Sequence, residues 1–178
     1  EDLQVTVQPG IVYNHLNEQL KPYGLFFPPS PGGSSDVATI GGMVANNASG
    51  IYSVKYGGTR DHVKAATVVT GTGEVLHVGT RSRKTSSGYH LLGLVVGSEG
   101  TLAIATELTL SLVGIPQGRK QGAFTFPSEQ AAVTAIADMM RYGVDLAAVE
   151  FLDRRSVAAL NRFQGFGLEE KPSLFIEV

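Results

Sequence analysis

Pro31-Gly-Gly-Ser-Ser-Asp-Val-Ala-Thr-Ile-Gly-Gly-Met-Val-Ala-Asn-Asn-Ala-Ser-Gly50 is the stretch whose reading decides the fold. The run from Phe26 to Asp36 that opens it holds three prolines and two glycines in eleven residues. Neither a helix interior nor a central strand accepts that composition. From Thr39 to Gly50 the residues become small and apolar, which predicts a short helix starting around Gly41 and Gly42 and ending at Gly50. The first N–H groups of a helix have no helical carbonyl to bond. Together with the helix dipole they suit an anion such as a pyrophosphate. The segment is not a Walker loop, because Gly-Lys-Ser/Thr is missing, and no Gly-x-Gly-x-x-Gly follows a strand here. A plain glycine-rich connector has the same composition.

Working outward, Leu3–Val7 alternates and stops at Gln8-Pro9-Gly10, which predicts a strand and a turn. Val12, Leu16 and Leu20 share one helix face, and Pro22 and Gly24 end that helix. Downstream, Val63–Thr70 and Val75–Val78 flank a Gly-Thr-Gly turn and read as a hairpin. Leu91–Val96 is a short apolar segment. Thr101–Leu112 reads as a long strand with alternating Leu102, Ile104, Leu108, Leu110 and Leu112. Polar Pro116–Gly122 is the best boundary. Beyond it the pattern is strand (Ala123–Phe126), helix (Ser128–Tyr142), strand (Ala147–Leu152), helix (Arg154–Phe163) and strand (Ser173–Val178). Ser128 serves as N-cap and Gly143 as the C-terminal glycine.

The 22 glycines make up about 12% of 178 residues, against a usual ~7%. Many lie between Gly32 and Gly118, the first hint of a ligand site lined by backbone. A net charge of −2 gives no basic surface for nucleic acid. The one local cluster, Arg81, Arg83 and Lys84, reads as a solvated turn. With no cysteine there is no disulfide framework, thiolate zinc site or Cys-linked flavin, and a cytoplasmic protein is expected. No apolar run reaches the ~18 residues of a membrane helix. Glu1 is not a start methionine and the last strand stops without a turn signal, so both ends are expected to be cut.

Two further segments offer backbone to a ligand. Val96-Gly-Ser-Glu-Gly-Thr-Leu-Ala-Ile104 sets two glycines around Ser98 and Glu99 before a strand, and alone it reads as a tight turn. Asn46-Asn-Ala-Ser-Gly50 suits a ribityl chain or a ribose, or else a frayed helix end. The four histidines, His15, His62, His77 and His90, have no metal-type spacing. His15 and His77 read as structural, while His62, in a polar loop before a strand, carries more weight as a functional candidate, with helix or turn capping as the alternative. Asp36 and Asp61 have no nucleophile beside them, and Glu150 and Asp153 read as surface residues. A backbone-lined cleft without an acid–base set is what a cofactor holder needs.

Three segments, in order and suitably spaced, carry a resemblance: Pro31–Gly50, Lys55-Tyr-Gly-Gly-Thr-Arg-Asp-His-Val63, and Thr85–Leu110 with its Gly97-Ser-Glu-Gly-Thr-Leu-Ala-Ile-Ala105 core. Together they resemble the flavin-binding motifs of the vanillyl-alcohol-oxidase/PCMH-type FAD proteins. The branch they resemble most is the D-lactate dehydrogenase, glycolate oxidase D-subunit and D-2-hydroxyglutarate dehydrogenase group. The resemblance implies an α+β fold. Residues 1–27 would end the first FAD subdomain, 28–116 would form the second, and 117–178 would begin a C-terminal substrate or cap domain.

By the same resemblance, Gly33, Ser34, Ser35 and Thr39 lie along the FAD pyrophosphate and ribityl region. Gly41, Gly42, Asn46, Asn47, Ala48, Ser49 and Gly50 continue that contact. Glu99, Gly100, Thr101, Leu102, Ala103, Ile104 and Ala105 meet flavin or adenosine mostly through backbone. Ala103 stands where many relatives have glycine. The family's first phosphate loop and its histidine-rich substrate and metal motif have no match in this chain. The implied activity is oxidation of a 2-hydroxy acid by hydride transfer to non-covalent FAD, weakly retained by the fragment, with no catalytic residue or metal ligand assigned. A homo-oligomer or a partner redox subunit belongs to the same expectation. The alternatives are a non-catalytic flavin-binding scaffold subunit and an alkylglycerone-phosphate-synthase-like flavoenzyme.

Overall fold

Antiparallel pairing joins the two ends of the first part of the chain. The computed structural model describes residues 2–178, which fall into two units divided between Pro116 and Gln117. The first unit runs β1 (Gln4–Val7), α1 (Tyr13–Leu20), β2 (Leu25–Phe26), α2 (Ile40–Asn46), α3 (Ser53–Tyr56), α4 (Thr59–His62), β3 (Val63–Thr70), β4 (Val75–Gly79), α5 (Leu91–Val95), β5 (Ala103–Ser111) and β6 (Val113–Gly114). The longer strands form one sheet in the order β1-β5-β3-β4, and β2 pairs with β6. The β3–β4 hairpin closes where Gly73, at φ +85°, donates its N–H to the Thr70 carbonyl. This mixture of helix and antiparallel sheet is the α+β class expected from the sequence.

Strand β5 departs from simple alternation. Leu108, Leu110 and Leu112 are buried, yet Leu102 and Ile104 are 54% and 67% exposed. The cause is a register shift between β3 and β5: Thr67 pairs with Glu107, but Val68 pairs with Ala105. One extra residue on one strand swaps the faces of everything beyond it. Ala103 is therefore buried and Ala105 packs against the core, while Leu102 and Ile104 turn outward.

Helix α1 buries Tyr13, Leu16 and Leu20 against the core. The proline-rich run behind it is buried rather than exposed: Phe27 is 0% exposed, and Pro28 and Pro29 are fully enclosed. Proline brings no N–H into the interior. The peptide groups of Phe27 need partners there, and Asn17 supplies them, accepting from Phe27 N at 2.8 Å and donating to Phe27 O at 3.4 Å.

Helix α2 stops at Asn46, short of Gly50. Asn47 takes the left-handed conformation at φ +52°, and Ala48 N bonds back to the Met43 carbonyl at 2.9 Å. That backward bond across a left-handed residue is a Schellman-type stop, at a position usually taken by glycine and sometimes by asparagine.

The second unit contains β7 (Gln121–Thr125), α6 (Glu129–Arg141), β8 (Ala148–Leu152), α7 (Arg154–Gln164) and β9 (Ser173–Glu177), with the sheet order β7-β9-β8. The Ser128 hydroxyl accepts from Ala131 N and caps α6, and Gly143 follows its end at φ +70°. Asp153 is more than a surface residue: its carboxylate accepts from Ser156 N at 2.7 Å and caps α7. The Ser156 hydroxyl, then the Ser156 N–H, then the Arg155 charge hold that carboxyl below its usual value. A depressed folded-state pKa gives stability that is present above the unfolded value and is lost as pH falls through the folded one. The Asp153 contribution is thus complete above about pH 4 and fades below it. In Asp153→Asn, thermal melts from pH 7 down to pH 3 will show a lower melting temperature at neutral pH and a smaller difference from wild type in acid. A constant difference at every pH would contradict this.

Candidate functional site

Helix α2 sits among the residues singled out from the sequence, and its start is not an open donor set. Ile40 N donates to Ile11 O at 2.8 Å, Gly41 N to Pro9 O at 2.8 Å, Gly42 N to the Thr39 hydroxyl at 3.1 Å and Met43 N to Thr39 O at 2.9 Å. The Pro9 segment and the Thr39 cap take the groups expected to meet a pyrophosphate. Gly41 is needed for that contact, since a Cβ there would lie 2.5 Å from Pro9 Cβ and 3.0 Å from Pro9 O.

The far end of α2 is where the separate segments converge. Gly97 N donates to Val44 O at 2.9 Å and Glu99 N to Ala45 O at 2.9 Å. Glu99 and Gly100 hold left-handed backbone at φ +51° and +76°, and the Thr101 hydroxyl closes the turn on Ser98 O at 2.6 Å. Arg60 braces this junction twice: its N–H donates to Asn47 Oδ1 at 2.9 Å and its Nη2 to Val96 O at 2.9 Å. Thr59, with no exposed surface, donates N–H and hydroxyl to Ala48 O at 3.0 and 2.6 Å. Gly50 lies so close to Ser30 that a Cβ would collide with the Ser30 carbonyl.

Between α2 and the start of β5 lies a cavity of about 110 Å³ lined by Gly41, Val44, Ala45, Val95, Ser98, Gly100, Ala103, Ile104 and Ala105. The structure thus brings Gly41, Gly100, Ala103, Ile104 and Ala105 of the expected set together. Gly33, Ser34 and Ser35 form a short 3₁₀ turn upstream, Thr39 caps α2, and Gly42 and Asn46–Gly50 lie outside the lining, as do Glu99, Thr101 and Leu102. The sequence reading missed Val44, Ala45 and Val95, while Ser98 lies in the turn that it did single out. The first two were within reach, because residues three and four after Gly41 share its helix face.

His62 has a structural place. Its Nε2 donates to Tyr56 O at 2.8 Å, its Nδ1 lies 3.3 Å from the Ser111 hydroxyl, and its ring meets Phe27 edge to face at 6.0 Å. Among the described residues no group of three His, Cys, Asp or Glu stands where it could hold a metal. No helix among them is long and apolar enough to cross a membrane.

At about 110 Å³ the cavity beside α2 is smaller than the ~300–1,000 Å³ usual for ligand sites. Its lining is mostly small and apolar: glycines and alanines bring little side chain, Val44, Val95 and Ile104 add apolar surface, Ser98 adds one hydroxyl, and Leu102 is exposed nearby in the chain. Gly41→Ala is expected to destabilise the protein despite alanine's higher helix propensity. The ~1 kcal/mol gained from propensity is outweighed by overpacking on Pro9, which costs about 1–3 kcal/mol. Urea unfolding measures the balance, and an unchanged or raised midpoint would show that Pro9 yields.

Residues 1–79 match the FAD binding domain family, and residues 115–178 match the C-terminal domain of FAD linked oxidases. A probable mitochondrial D-lactate dehydrogenase of Danio rerio is 43% identical over 99% of this chain and 36% of its own length. The mitochondrial D-lactate dehydrogenase (cytochrome) of Arabidopsis thaliana is 45% identical over 99% of this chain and 31% of its own. The glycolate oxidase subunit GlcD of Bacillus subtilis is 36% identical over 99% and 38%. A solved alkyldihydroxyacetonephosphate synthase superposes with TM-score 0.79 at 26% identity, covering 99% of this chain and 34% of that one. The chain spans about a third of the length of the curated relatives it matches. The expectation of a cytoplasmic protein does not stand, because the zebrafish and Arabidopsis relatives are named as mitochondrial enzymes. A lack of cysteine speaks to redox environment and not to address. In sequence order, then, the chain matches an FAD binding domain and the C-terminal domain of FAD linked oxidases, and FAD is the cofactor that both name.

Proposed function

We propose that the intact protein oxidises a 2-hydroxy acid of the D-lactate, glycolate or D-2-hydroxyglutarate kind, and that this chain carries part of its flavin site and the beginning of its substrate domain. In this reading, residues 28–116 are the second flavin-binding subdomain and residues 117–178 begin the substrate domain. The observation that carries it is the seam between α2 and residues 98–105, a small-residue cavity with exposed Ile104 in its lining and Leu102 exposed nearby in the chain. Relatives over the whole chain that are named D-lactate dehydrogenases and a glycolate oxidase subunit support the substrate class.

Bound flavin supplies the hydride acceptor. The chain's own residues hold and orient it: Gly41, Ala45, Gly100, Ala103 and Ala105 keep the wall of the cavity flat. Arg60 fixes the turn that carries Gly100 by bonding both ends of the junction. Val44 and Val95 keep water from the inner side of the cavity.

The chain by itself holds FAD weakly, because the cavity is small and the start of α2 has no donors to spare. In the full-length protein, Ala105→Phe fills the cavity. The expected result is at least a tenfold loss of visible flavin absorbance per protein after gel filtration, with the fold retained by circular dichroism. Full flavin content would move the site elsewhere.

The substrate class is tested by anaerobic reduction of the full-length protein. Its flavin bands are expected to bleach on addition of D-lactate, glycolate or D-2-hydroxyglutarate. Flavin that bleaches with none of them would sink the dehydrogenase reading. It would leave the transferase suggested by the similarity to alkyldihydroxyacetonephosphate synthase, or a non-catalytic flavin scaffold. Dependence on a partner redox subunit, or assembly of copies, belongs to the same proposal.

A further inference from the structure

A second and larger cavity lies in the first unit, and none of its lining residues lines the cavity beside α2. Its volume is about 470 Å³, within the range of small-molecule sites. One wall is the α4–β3 junction with Arg60, Asp61, Val63 and Lys64, and the other is the loop from Gly79 to Leu92.

The charges on these walls do not cancel. Arg60, Lys64 and Arg83 are three cations, and Asp61 is the one carboxylate, which leaves a surplus of two positive charges. Asp61 is already engaged, accepting from Gly58 N at 2.8 Å. Arg60 spends one guanidinium nitrogen on Val96 O. Among the described residues neither Lys64 nor Arg83 takes part in an ion pair. Nearby Arg81, from the same basic cluster, does pair, with Asp2 at 2.9 Å. The cluster therefore divides: Arg81 is tied down beside β1, and Arg83 lines the cavity.

The rest of the lining is rich in hydroxyls, with Thr80, Ser82, Thr85, Ser86 and Ser87. Hydroxyls, a lysine point charge and an arginine fork together suit the oxygens of a phosphate. A phosphate monoester carries about −1.5 to −2 at neutral pH, which matches the surplus, whereas a simple carboxylate leaves half of it uncompensated. At the rim Tyr89 is 95% exposed, so an aromatic face stands uncovered next to the charged walls.

We propose that this cavity binds a small phosphate monoester, at a site separate from the flavin surface. It does not depend on which substrate the flavin oxidises.

The test uses the full-length protein with its FAD bound, so that the cofactor's own phosphate site is filled. Phenyl phosphate is titrated by calorimetry, with benzoate at matched ionic strength as the singly charged control. The expected result is saturable binding of phenyl phosphate at least tenfold tighter than benzoate. Arg83→Glu, at an exposed position, and Lys64→Gln are each expected to weaken phenyl phosphate at least fivefold. Flavin absorbance, melting temperature and hydroxy-acid reduction of the flavin should be unchanged. Absence of saturable binding, benzoate binding as tightly, or full affinity in both variants would overturn the proposal.

Discussion

The first unit depends on how the peptide groups at the two ends of helix α2 are satisfied. A helix of seven residues has almost no interior, so most of its N–H and C=O groups must find partners elsewhere. Pro9 and Ile11 accept from its start, and Gly97 and Glu99 donate to its end. Two stretches far apart in sequence, Pro9–Ile11 and Gly97–Glu99, are thereby fixed on one helix. A buried peptide group left unpaired costs ~1–3 kcal/mol, so each of these contacts is effectively obligatory. The small residues follow from it, because Gly41 can meet Pro9, and Gly50 can meet Ser30, only without a Cβ.

This arrangement changes what the glycine-rich motif does. Read as sequence, its helix start is a set of donors waiting for a phosphate. Folded, those donors are spent on holding the protein together, and the cavity proposed to face the flavin runs along α2 from Gly41 to Ala45, against the turn before β5. The register shift in β5 completes that surface by turning two alanines inward and Leu102 and Ile104 outward. A flat, small-residue seam edged with exposed apolar side chains is an apt surface for a planar cofactor, and the match to the FAD-linked oxidases gives that cofactor its identity.

The second unit is held by more ordinary means. Its helices are capped by Ser128 and Asp153, and the buried Glu177 is met by Arg119 at 3.4 Å and Gln121 at 2.7 Å. A carboxylate buried to that degree has to be paired or hydrogen-bonded, which makes the β7–β9 edge a polar clasp as well as a strand pair.

Sequence by itself determined the α+β class, the hairpin of Val63–Thr70 and Val75–Gly79, the helix of Tyr13–Leu20, and the alternating strands and helices after Gln121. Each of these is set by local periodicity, turn glycines and caps, which act between residues close along the chain. The three motifs also carried the family and its flavin. Tertiary structure alone decided that the β5 faces swap near Glu107 and that Val44, Ala45, Val95 and Ser98 line one cavity. It also decided that Arg83 lines a second cavity while Arg81 pairs with Asp2. These outcomes rest on backbone hydrogen bonds and close contacts between residues far apart in sequence, such as Gly41 with Pro9 and Glu99 with Ala45, which no local pattern encodes.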